Sequence, residues 1–133
     1  MATDTRSIVE KYLNAVATGR LEQLEGVIHP DVTFSGTVSA SSEGYEPFVD
    51  AFRRLGPIIE RYDIRDMVVE GDRAFVLYDF VTNTEVGPVL SAEHITVQEG
   101  MVRSVVLLFD LRRWPEVMAE LKRRAEAPVT ANA

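Results

Sequence analysis

The chain has 133 residues, 46% of them hydrophobic and 26% charged, which suits one soluble domain and excludes a disordered, collagen-like or disulfide-built chain. It has no cysteine, so thiolate nucleophiles, Cys-ligated zinc and iron–sulfur clusters are excluded. The formal charge of −7 makes a phosphate backbone a poor partner. No apolar run approaches the ~20 residues of a membrane helix, and MATDTRSIVE lacks a signal-peptide core, so a cytoplasmic protein bound to neither membrane nor nucleic acid is expected.

Residues 1–6 read as frayed. Ile8, Val9, Tyr12, Leu13 and Val16 then form one helical stripe, with Thr3 or Asp4 as cap and Gly19 as stop. Leu21, Leu24, Val27 and Ile28 predict a second short helix ended by Pro30. Val32 to Ser35 alternates like a strand with one buried face. Residues 36–44, GTVSASSEG, predict a surface loop. A third helix runs from about Tyr45 to Leu55 on Tyr45, Phe48, Val49, Phe52 and Leu55, with Pro47 in its first turn.

Four strands follow, near 58–70, 73–83, 89–99 and 101–110, parted by Gly71-Asp72, the stretch Asn83 to Pro88, and Glu99-Gly100. A last helix from Pro115 to about Ala125 carries Val117, Met118 and Leu121, with Trp114 just before it. The single domain thus spans 1–126, and 127–133 reads as a disordered tail. The order α-α-β-α-β-β-β-β-α predicts an α+β fold, with helices on one face of a curved antiparallel sheet that closes into a cone with a mouth.

Strand parity divides the sheet into two faces. Val76, Tyr78, Phe80 and Thr82 share one face, opposite Leu77, Asp79, Val81 and Asn83. Glu93, Ile95 and Val97 share one face, opposite Ala92, His94, Thr96 and Gln98. Val105 to Phe109 is apolar without alternation, as in a strand covered on both sides. Val106 and Leu108 therefore need a cover. A second subunit meets that need and predicts a homodimer through the outer sheet face; the alternative is the last helix folding back over it.

Most chemistry-bearing patterns are absent. His29 and His94 lie far apart, and Glu93 points away from His94, so no metal is expected. Ser39, Ser41 and Ser42 have no nearby histidine, and the glycines form no phosphate cradle, so no cofactor is expected. Lys122-Arg123-Arg124, with Arg112 and Arg113, make the last helix positive and read as a solvated face; Lys and Arg suit a helix C-terminus. Glu93 has two readings. Inside the cone it is a carboxyl in an apolar pocket, held protonated by burial; at a strand edge it is solvated. Tyr12 and Tyr78 are inward phenols that need partners.

The stretch KYLNAVATGRLEQLEGVIHPDVTFSG, residues 11–36, resembles the opening of the NTF2-like superfamily. Its marks are Tyr12, Gly19, the Leu21/Leu24 pair and Pro30-Asp31-Val32, continued by Glu93-His94-Ile95 and Val105 to Phe109. The likeness spans roughly 5–111 and takes in ketosteroid isomerases, SnoaL-like polyketide cyclases and limonene epoxide hydrolases.

The resemblance implies an NTF2-like cone and carries the isomerase oxyanion-hole tyrosine onto Tyr12 and its protonated acid onto Glu93. The isomerase general base falls on Gly36, which cannot take a proton. The epoxide hydrolase relay falls on Phe80, Thr82 and Leu107, none of which replaces it. The acid that the cyclases use on their last strands has one counterpart, Asp110, which parity turns outward. The expected pocket is lined by Val16, Phe34, Phe48, Phe52, Val76, Phe80, Ile95, Val97, Leu107 and Phe109, with Tyr12, Tyr78, Thr82 and Glu93 as its polar groups. It suits a small hydrophobic molecule with a carbonyl or hydroxyl end. The implied functions are an isomerase- or cyclase-like enzyme with Tyr12 and Glu93 as catalytic pair, a non-catalytic binding or accessory protein, or a dimeric scaffold with a filled cone.

Overall fold

A computed structural model describes residues 4–37 and 41–126. The first helix, α1 (Thr5–Ala17), starts where the Asp4 side chain accepts from the Arg6 amide at 3.1 Å. Its buried stripe is Ile8, Val9, Tyr12, Leu13, Ala15 and Val16. A 3₁₀ turn (Leu21–Leu24) leads into β1 (Ile28–Gly36) and the two-residue β2 (Ser42–Glu43). Helix α2 (Tyr45–Leu55) buries Phe48, Val49 and Phe52. The meander β3 (Ile59–Glu70), β4 (Arg73–Thr82), β5 (Pro88–Gln98) and β6 (Met101–Phe109) follows, and α3 (Trp114–Glu126) comes last. No helix among the described residues is long and apolar enough to cross a membrane.

The six strands form one sheet in the order β2-β1-β6-β5-β4-β3. The meander is antiparallel as expected, but β1 runs parallel to β6, so the sheet is mixed. The three helices and this curved sheet make the expected α+β cone.

Three expectations are corrected at the start of the chain. No helix runs to Pro30: Gly26 at φ +82° stops the 3₁₀ turn, and Ile28 already pairs with Val102 of β6. Pro30 lies inside β1, and the β1–β6 register breaks between Ile28 and Thr33, where proline has no amide to give. The 36–44 loop contains β2, paired with Thr33 and Phe34, while 38–40 and the expected tail at 127–133 lie outside the described residues.

The last helix does not fold back over the outer sheet face. The Trp114 ring stacks on Phe109 at 4.6 Å and lies 6.4 Å from Phe80, both on the inner face. Helix α3 therefore packs on the inner side at the mouth of the cone, and Phe75, Leu90, Val106 and Leu108 stay exposed on the outer face.

Candidate functional site

Glu93 occupies the middle of β5, paired with Val76 of β4 and Leu107 of β6. Its inward parity is set by Ile95 and Val97 on the same strand, and it is 0% exposed. Tyr12 reaches it from the buried stripe of α1, its hydroxyl donating to Oε1 at 2.7 Å. Tyr78 reaches it from β4, donating to Oε2 at 2.5 Å. One carboxyl thus receives two phenols inside an otherwise apolar core. The solvent-edge reading of Glu93 is excluded.

Burial raises the Glu93 carboxyl and the two phenol hydrogen bonds pull it back, leaving it at about 7. Near neutrality the buried acid holds its proton about as often as not. Burial and the neighbouring Glu93 charge push both phenols well above their ordinary value, so they remain donors.

A fourth group, Tyr62 of β3, stacks its ring on Tyr78 at 4.6 Å. Its hydroxyl is buried with no hydrogen-bond partner among the described residues. Burial, and then the charge of Glu93, raise it too. The sequence hides this residue because β3 bulges between Ile64 and Asp66. Tyr62 and Ile64 precede the slip and Met67 and Val69 follow it, so inward positions change from even to odd.

Aromatic rings separate the cluster from the mouth. Tyr12 lies 5.8 Å from Phe48 and 6.2 Å from Phe52, and Phe34 is 5.6 and 5.7 Å from those two rings. Beyond them opens an apolar cleft of about 190 Å³ between α2, α3 and the sheet. Of the expected lining residues, Phe34, Phe52, Leu107 and Phe109 face this cleft. Phe48, Val76, Phe80 and Ile95 are fully buried in the core, and Val97 lies near the end of the same face. Val16 borders a separate depression with Asn14 and Tyr62. Thr82 is on the inner face, but its hydroxyl is bound in the β4–β5 turn, to the Gly87 carbonyl at 2.8 Å and the Thr84 hydroxyl at 2.7 Å. Ala51, Arg54, Leu55, Trp114, Met118 and Leu121 complete the cleft, and none of them was expected there from the sequence.

The counterpart of the isomerase base is closed off by the backbone. A Cβ on Gly36 would stand 2.2 Å from the Leu107 carbonyl oxygen, so the β1–β6 approach admits no side chain. Asp110 is held by Arg112, whose hydrogen bonds lower its carboxyl to about 2. It borders a different depression, with Val86 and Pro88. His29 Nε2 faces Glu99 at 2.7 Å, and its Nδ1 accepts from the Asp31 amide. Among the described residues, no three His, Asp or Glu side chains are placed to hold a metal ion.

Comparison with known proteins bears on the fold. An NTF2-like protein of unknown function from Cytophaga hutchinsonii superposes with a TM-score of 0.71 at 20% identity, covering 86% of this chain and 96% of that one. An LEH-like epoxide hydrolase from M. tuberculosis gives 0.71 at 14% identity, covering 91% and 94%. A candidate ketosteroid isomerase from Kribbella flavida gives 0.70 at 16% identity, covering 80% and 77%. Identities this low show a shared fold only. No curated protein sequence matches the chain. The SnoaL-like domain family matches residues 9–105, most of the chain from α1 into β6, and the protein belongs to that family.

Proposed function

We propose that this protein binds a small, largely apolar molecule bearing a carbonyl or hydroxyl group in the apolar cleft, and that the Phe34, Phe48 and Phe52 rings turn aside to admit that polar end to the Tyr12–Glu93–Tyr78 cluster. The observation that carries this reading is Glu93 itself. A fold of this size gains nothing from a buried carboxyl, whose desolvation is costly even when two phenols satisfy it. A carboxyl near pH 7 between two phenols offers both donors and an acceptor to a ligand oxygen. With a bound ketone, Tyr12 and protonated Glu93 would donate to the developing enolate oxygen, as in isomerase or cyclase chemistry. The solved relatives of isomerase and epoxide hydrolase type are consistent with a fold that hosts such pockets.

The second reading, a binding or accessory protein without chemistry, is favoured by Gly36, where no base can stand. One experiment separates the two. A series of phenols of rising acidity, as enolate mimics, is expected to bind with affinity that follows their acidity and falls in Tyr12→Phe. Deuterium exchange into bound enolisable ketones then reports catalysis, and binding without exchange assigns the accessory role. No phenol binding overturns the pocket reading altogether.

The uncovered outer face supports a second copy of the chain as its cover. Phe75, Leu90, Val106 and Leu108 are each more than a third exposed, and a two-fold interface brings one such patch onto its equal. Leu108→Arg is expected to turn a dimer into a monomer by sedimentation velocity; a wild-type protein that is monomeric at micromolar concentration overturns this.

A further inference from the structure

The basic residues of this acidic chain are unevenly placed. Residues 50–55 and 112–126 carry seven basic and four acidic side chains, although the whole protein has 21 acidic against 14 basic. These two segments, the end of α2 and the length of α3, flank the apolar cleft at the mouth.

Ion pairing inside this group is selective. Asp50 takes Arg53, Asp110 takes Arg112, Glu116 takes Arg113, and Glu120 takes both Arg123 and Arg124. Arg54 and Lys122 have no ionic partner among the described residues. Arg54 lines the cleft beside Phe52 and Leu55. Lys122 stands one turn beyond Met118, which lines the opposite wall, so the two share a side of α3. The interior of the cleft is apolar, formed by Phe34, Phe109, Trp114 and Leu121. Its rim therefore offers two cations without an ionic partner, Arg54 and Lys122, against one such carboxylate, Glu126 one turn beyond Lys122, above an aromatic floor.

We propose that the cleft takes an amphiphilic anion: an apolar body of about the size of a short acyl chain or one aromatic ring, with a carboxylate or similar head held at the rim by Arg54 and supported by Lys122. This rests on the pocket reading above and adds the charge of the ligand to it. The guanidinium suits a carboxylate because it donates two parallel hydrogen bonds. The buried body supplies most of the affinity and the rim supplies the choice between ligands. A carboxylate head at the rim orients the far end of the molecule toward Phe52, which touches both the cleft and Tyr12.

The test uses octanoate, 1-octanol and octylamine at pH 7.5, three ligands with one chain and three charges. Trp114 is the only tryptophan and lines the cleft, so its fluorescence reports occupancy directly. Octanoate is expected to bind about fivefold more tightly than octanol, the range of a partly screened ion pair, with octylamine weakest. The preference is expected to shrink with added salt. Arg54→Gln should bring octanoate to the octanol level measured on the same variant, and a wild-type thermal unfolding transition shows that the variant is folded. Arg53→Gln, whose parent arginine is already paired with Asp50, should leave the preference intact. Equal affinity for all three ligands, or a preference that survives Arg54→Gln combined with Lys122→Gln, overturns the proposal and leaves the pocket reading standing. No saturable response to any of the three overturns both.

Discussion

The two faces of the one sheet place their exceptional residues in opposite senses. On the inner face Glu93 is 0% exposed among Val76, Ile95 and Leu107. On the outer face Phe75 and Leu108 are 46% and 44% exposed, on strands adjacent to the one that buries the acid. A polar group is placed where water is absent, and apolar groups where water is present. Neither arrangement helps the isolated domain, because burying a carboxyl costs and exposing Leu or Phe gains nothing. The proposed ligand rests on the inner exception and the proposed second copy on the outer one. The helices follow the same division: α1, α2 and α3 all pack on the inner side and leave the outer one uncovered among the described residues.

The largest effect that tests this contrast is a truncation on each face. Phe52→Ala removes a buried ring that touches Tyr12, Phe34 and Phe48, and should cost about 3–5 kcal/mol in denaturant unfolding. It should also join the cleft to the cluster and strengthen binding of apolar ligands. Leu108→Ala should cost the monomer less than about 0.5 kcal/mol. Comparable costs on the two faces would mean that the outer face is already covered within the monomer.

The pH dependence of stability comes next. Glu93 stands at about 7 in the folded protein and near the ordinary Glu value when unfolded, so folding favours its protonated form. Its contribution is fully present below about pH 4.5 and is lost as the pH rises through 7, a decline of about 3 kcal/mol. Asp110, Glu116 and Glu120 are lowered by their arginines. Their contributions are present above the ordinary carboxylate range and are lost as the pH falls through their folded values, outside the Glu93 window. Thermal unfolding between pH 5 and 8 should therefore show falling stability in the wild type and a flat profile in Glu93→Gln. A slope that persists in Glu93→Gln would assign it to another group.

The meander was legible because its strands alternate and its turns carry glycine or asparagine; parity grouped Tyr78 with Val76 and Phe80 and Glu93 with Ile95 and Val97, but left open which face was the inner one. The meeting of Tyr12 with Glu93 came from resemblance together with parity, since residues 81 positions apart leave no local trace. The segment Leu21–Ile28 misled because four apolar residues over eight positions fit a helix as well as a turn running into a strand. The β1–β6 pairing joins strands far apart along the chain, and its parallel sense is invisible in either strand. The side of the sheet chosen by α3 was left between two alternatives, because a helical stripe shows that a face is buried but not against what. The stripe nonetheless supplied Met118 and Leu121 to the cleft.

The smallest effect concerns the two stacked tyrosines, and it tests whether the inner cluster has three members or four. Tyr78 donates to Glu93, so Tyr78→Phe leaves one carboxyl oxygen without its partner and should cost about 1–3 kcal/mol. It should also raise Glu93 further, because a hydrogen bond that favours the ionised form is gone. Tyr62 keeps the same ring stacking as Phe but loses a hydroxyl that is buried and unpartnered. Tyr62→Phe should therefore be neutral or stabilising by up to about 1 kcal/mol. If the two substitutions cost the same, the Tyr62 hydroxyl has a partner in solution, and the carboxyl is served by a chain of phenols that begins at the edge strand β3.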